Sequence, residues 1–172
     1  MEFYVLSILL VILTVFFIKV LGNIMGFFGG VRYMKMKVSD LNLKEQKGVI
    51  SHIITILSNQ ANIKEPEWMV GNIKGMGDDV LGIFDPEINK IFIDLDRMTH
   101  LPLDILFSTV AHEFKHYVDW NRLTLKNKTK SKSIDFWNEN QDYYENLADV
   151  YGNKNGGRIF LDWIKSKPQL SY

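Results

Sequence analysis

Apolar residues recur along this chain in three rhythms, and each predicts a different element. The first is unbroken. Phe3 to Ile18 holds sixteen residues without a charge, with Ser7 and Thr14 as its polar groups, and Lys19 is the one charged side chain between residues 3 and 31. A helix needs about 20 residues to cross the hydrocarbon core, so this run predicts a transmembrane helix, extended by Lys19 reaching for the interface. A signal peptide would carry positive charge ahead of the run, where only Glu2 stands. The competing reading is a buried core helix followed by a loop. Gly22, Gly26, Gly29 and Gly30 read as a connector, giving an anchor and glycine-rich segment over residues 1–31.

The second rhythm has helical spacing. Val49, Ile50, Ile53, Ile54 and Leu57 form one apolar face of a helix over Leu43 to Asn59, with Asp40 or Asn42 as its cap. Ile105, Leu106, Thr109, Val110 and Phe114 do the same for a helix from about Pro102 to Arg122, with Thr99 as a candidate cap. Residues 124–133 (TLKNKTKSKS) are basic and polar and predict a loop over the cleft. Phe136 to Tyr151 predicts a returning helix, broken by Gly152 to Gly157, with a short last helix over Arg158 to Lys167.

The third rhythm is that of strands: Trp68 to Val70, Val80 to Phe84, and Lys90 to Asp94 are short apolar runs divided by Gly75, Gly77 and Asp85-Pro86. Six residues separate Phe84 from Ile91, which predicts an antiparallel hairpin. The fold class is therefore α+β, a small mainly antiparallel sheet packed on a long helix, in one domain over residues 39–172.

Composition narrows the chemistry. Lys plus Arg and Asp plus Glu both number 20, so net charge offers nothing to a nucleic acid. Cysteine is absent, which removes thiolate ligands, thiol nucleophiles and disulfides. Basic side chains follow the apolar run at Lys19, Arg32, Lys35 and Lys37 and none precedes it, so the positive-inside rule predicts a single-pass membrane protein with the domain over residues 39–172 in the cytoplasm.

The motif that carries chemistry is His112-Glu113-Phe114-Lys115-His116. On a helix, His112 and His116 stand one turn apart and converge on one ion. Glu113 beside them is the expected general base, taking a proton from metal-bound water. An exposed helical His/Glu pattern without metal is the bland alternative. The third ligand comes from Glu145, one turn before Asp149 on the returning helix, with Asp149 bonding the free nitrogen of a ligand histidine. Asp119 is the competing ligand, though it would meet the ion at an awkward angle from the same helix. Tyr143, Tyr144, His100 and Tyr117 are candidate donors to a developing oxyanion.

This pattern resembles the gluzincin branch of zinc metallopeptidases, in which HExxH on one helix is completed by the Glu of ExxxD on another. The resemblance implies a minimal zincin-like core, a Zn2+ cofactor, and substrate added as a strand along Lys90 to Asp94. The wording Ser108-Thr109-Val110-Ala111-His112-Glu113 looks like the small ImmA/IrrE-type peptidases, over roughly residues 80 to 150, although Lys115 stands where glycine is common in that group. The expected function is a membrane-anchored zinc endopeptidase. Its expected partners are a protein or peptide substrate and a lipid bilayer met through residues 3–28. The alternative is a catalytically inactive binding or regulatory protein on the same fold.

Overall fold

The structure is a computed structural model that describes residues 35–73, 77, 79–127 and 129–167. Helix α1 (Leu43–Ala61) starts where the side chain of Asn42 accepts the Glu45 N–H and Glu45 answers by accepting that of Asn42. Its expected face is buried, with Ile50, Ile53, Ile54 and Leu57 wholly enclosed. Asn62 ends it in the left-handed conformation, at φ 51°.

Three short strands follow: β1 (Glu67–Val70), β2 (Gly82–Asp85) and β3 (Lys90–Ile93), in the order β1-β3-β2. The hairpin is as expected, with Phe84 opposite Ile91, but β1 lies parallel to β3. The sheet is therefore mixed rather than mainly antiparallel. β1 and β2, consecutive in sequence, lie on opposite sides of β3, so β1 meets the far side of the hairpin. β3, the most apolar of the three, takes the middle and buries Ile91 and Ile93. Lys90 to Asp94 is thus bonded on both sides and cannot be the edge that receives a substrate. The free edge beside the long helix belongs to β2.

Asp94 ends β3 and caps the single turn α2 (Leu95–Met98), while its other oxygen accepts the Ile73 N–H at 3.0 Å. Thr99 closes that turn through its hydroxyl instead of capping the next helix. Helix α3 (Leu103–Asn127) crosses the middle of the molecule, and α4 (Lys130–Glu139) follows it almost at once. The loop expected over 124–133 is therefore mostly helix. Lys126, Lys130 and Lys132 are good helix formers on a solvated face, and the buried Ser133 hydroxyl donates to Thr129 O at 3.1 Å.

Helix α5 (Gln141–Tyr151) does not break at its glycines. It continues through a π-helical turn, Gly152–Gly156, into α6 (Gly157–Ser166). Phe107 of α3 packs edge-on against Phe160 and Trp163 of α6, with ring centroids 5.2 and 5.7 Å apart. Helices α1 and α6 and the sheet thus enclose α3, leaving one stretch of it open to the site.

The membrane expectation is corrected. Among the described residues no helix is long and apolar enough to cross a membrane, and the segment 3–31 lies outside them. The longest helix among the described residues, α3, carries Asp104, Glu113, Lys115, Asp119, Arg122 and Lys126, charges that hydrocarbon does not accept. The transmembrane helix, the bilayer partner through residues 3–28, the single-pass location and the membrane-anchored qualifier on the function are accordingly withdrawn.

Candidate metal centre

Because α3 buries Leu106, Phe107, Val110, Ala111 and Phe114 on its core side, the intervening positions 112, 113 and 116 face the space between β2 and α5. The Nε2 atoms of His112 and His116 approach to 3.0 Å. Glu145 Oε2 lies 3.2 Å from the first and 3.4 Å from the second. Tetrahedral ligation at about 2.0–2.1 Å places neighbouring donor atoms roughly 3.3 Å apart. The spacing and chemistry of these three groups therefore fit one small, moderately hard cation.

Asp149, one turn beyond Glu145, meets the other nitrogen of His112 with Oδ1 at 3.1 Å from Nδ1. A carboxylate there fixes the tautomer that leaves Nε2 as a lone pair. His116 has no such partner. Its Nδ1 is buried without a hydrogen bond among the described residues, and its ring is set by the edge of Trp137, centroids 5.5 Å apart. Trp137 is in turn stacked on Tyr144 at 4.3 Å.

Glu113 is of a different kind from Glu145. One donor atom each from His112, Glu113 and His116 fall within 4.8 Å of one another, yet Glu113 lies against β2 at Gly82, where the backbone N–H of Phe84 favours its charged form. Burial pushes its pKa up to about 7, against the opposing pull of His116 and His112. Glu145 is held well below the usual carboxylate range by its hydrogen bonds to His112 and then His116. Burial draws His112 down, but the Glu145 hydrogen bond and the charges of Glu113, Glu145 and Asp149 outweigh it, so the imidazole stands above its ordinary value. Two neighbouring carboxylates are thus driven apart, one toward a proton-exchanging role near neutrality and one toward permanent charge.

The site opens into a cleft of about 660 Å3. The β2 strand and Val80–Leu81 form one wall, α3 the floor, and Trp137, Asn138, Gln141, Glu145 and Asn153 the other wall. Gly82 touches the floor directly: a Cβ there would lie 2.9 Å from Glu113 Cγ and 2.9 Å from Thr109 Cγ2.

The structure brings together four of the expected partners of Glu113: His112, His116, Glu145 and Asp149. It separates the others. Asp119 is buried in an ion pair with Lys115. Tyr117 donates its hydroxyl to Lys64 O at 2.9 Å, Tyr144 is stacked in the core, and Tyr143 and His100 are outside the cleft. Sequence reasoning missed the amide side chains of Asn138, Gln141 and Asn153, and the closeness of Gly82. Only the glycine left a trace in the sequence, as an interruption of an apolar strand.

A mixed sheet over a helix that buries a carboxylate between paired imidazoles is the zincin kind of core in general, and its site is that of a metalloenzyme. Comparison with protein-family models, with curated proteins and with solved structures finds no match for this chain.

Proposed function

We propose that the protein is a zinc-dependent endopeptidase acting on a peptide segment of a protein substrate, and that residues 39–172 form the catalytic domain. The observation that carries the reading is the meeting of Glu145 Oε2 with both Nε2 atoms while Glu113 stands beside them, buried and turned to β2. Two imidazoles and one carboxylate with donor atoms 3.0, 3.2 and 3.4 Å apart suit zinc better than magnesium or calcium, which prefer all-oxygen shells. In this reading His112, His116 and Glu145 are the ligands and Asp149 orients His112. Zinc, when bound, supplies a Lewis acid for the scissile carbonyl and acidity for water.

The chain's own residues do the rest. Glu113 accepts a proton from the attacking water at its carboxylate and passes it to the leaving amine. Its buried environment brings its affinity for a proton close to the working pH. The outer edge of β2, opposite its pairing with β3, offers backbone groups to an extended peptide. Asn138, Gln141 and Asn153 face it with amide donors. The finer likeness to ImmA/IrrE-type peptidases belongs to this proposal and rests on Ser108 to Glu113. A non-catalytic binding module gives no reason to bury a carboxylate beside the imidazoles.

The test is Glu113→Gln. The variant keeps one equivalent of zinc and loses peptide cleavage by about 10²–10⁴-fold. A variant that retains zinc and cleaves at the wild-type rate removes Glu113 from the chemistry.

A further inference from the structure

Glycine is a poor helix former, yet the chain stays helical through Gly152, Gly156 and Gly157. Two of these three are pressed against α3. A Cβ on Gly152 would lie 2.8 Å from Ser108 O and 3.0 Å from His112 Cβ. A Cβ on Gly156 would lie 2.6 Å from Ser108 Cα and 2.7 Å from Phe107 O. These obstacles are mainly backbone, which cannot swing aside. All four distances fall roughly half an ångström or more short of ordinary carbon contact. Gly157 has nothing within 4 Å.

Glu145, Asp149, Gly152 and Gly156 are spaced by four, three and four residues, which is one stripe of a helix. Ala148, wholly buried, lies beside it. The stripe that carries the carboxylates to His112 is therefore the one that brings the two backbones into contact, at the turn containing His112 itself. The turn is π-helical, a form that recurs at functional sites.

We propose that Gly152, supported by Gly156, is a positioning residue of the metal centre. By letting the π turn rest directly on the His112 turn of α3, it sets the height at which Glu145 and Asp149 reach the imidazoles. The inference rests on the reading of His112, His116 and Glu145 as ligands. Metal distances tolerate about 0.2 Å, less than the displacement that one methyl group at position 152 requires.

The test uses cobalt(II) as the probe, titrated into the metal-free full chain and followed by visible absorption and chelator competition. Wild type binds one equivalent with the intense absorption of a tetrahedral site. Gly152→Ala, folded by circular dichroism, binds at least about tenfold more weakly and with an altered spectrum, whereas Gly157→Ala matches wild type. Wild-type affinity and spectrum in Gly152→Ala overturn the inference alone. Failure of wild type to bind cobalt overturns the ligand reading and the inference with it. Should Gly152→Ala not fold, amide hydrogen exchange of wild type decides. Linkage is reciprocal, so metal must slow exchange at residues 152–156 more than at α1, and equal slowing overturns the inference.

Discussion

Asp149 binds the Nδ1 of His112 at 3.1 Å while the Nε2 of the same ring faces Glu145 at 3.2 Å. One imidazole is thus gripped at both nitrogens by carboxylates one helical turn apart. This makes His112 the organised member of the pair, and His116, met at Nε2 by Glu145 but with no partner for Nδ1 among the described residues, the one whose far side is held by packing against Trp137.

Asp149→Asn keeps the side chain's shape and weakens its hold on the imidazole. Zinc affinity should fall by about 10–100-fold, measured by competition with a chromophoric chelator. At saturating zinc the remaining activity should exceed that of Glu113→Gln. Unchanged affinity would remove Asp149 from the support of the site.

Gly82→Ala acts on the proposed base, Glu113, rather than on the proposed ligands. Its methyl group would meet Glu113 Cγ and Thr109 Cγ2 at 2.9 Å, so the carboxylate must rotate away from its Phe84 N–H. The expected result is a loss of kcat of roughly tenfold or more, since catalytic groups misplaced by about 1 Å cost up to 10²-fold. Zinc content should remain at one equivalent. A variant that loses metal but turns over normally when reloaded contradicts this placement of β2.

The burial of Glu113 also has a thermodynamic signature. Its folded pKa of about 7 exceeds the ordinary value of 4.5, so its contribution to stability is fully present below pH 4.5 and is lost as pH rises to about 7. Glu113→Gln escapes that loss. In the metal-free protein the variant should match wild type near pH 4.5 and be more stable by about 3 kcal/mol above pH 7. Urea denaturation across this range checks it, and a pH-independent difference would show that Glu113 ionises as freely as in an unfolded chain.

Lys115 and Asp119 form an ion pair one turn along α3, with side chains 15% and 9% exposed. Removing one partner strands the other charge, so Asp119→Ala should cost about 3 kcal/mol. Lys115→Met together with Asp119→Leu should recover most of that loss, because burying a matched pair of charges is itself expensive. Additive losses in equilibrium denaturation would contradict the pairing.

The parts of this molecule legible in its sequence were those governed by local spacing. The face of α1, the hairpin of Phe84 and Ile91, and the shared helix faces of His112 with His116 and of Glu145 with Asp149 all follow from the periods of a helix or a strand. What escaped was set by contacts between distant segments. Nothing local tells β1 to run parallel to β3, and that pairing moved the free edge from Lys90–Asp94 to Gly82–Asp85. Gly152 and Gly156 read as a break because a glycine's usual effect is on its own backbone, whereas here each makes room for Ser108 or His112. The basic run after Leu123 read as loop because its polarity marks exposure, which a helix on the surface shares. The apolar run over 3–31 prompted an anchor that the described residues do not contain.

The most direct test of the metal centre is X-ray diffraction at the zinc absorption edge from crystals grown with zinc. The account predicts one anomalous peak about 2.0–2.2 Å from His112 Nε2, His116 Nε2 and a carboxylate oxygen of Glu145. Absence of a peak there, or a peak with the Glu145 carboxylate turned away from the cation, would contradict it.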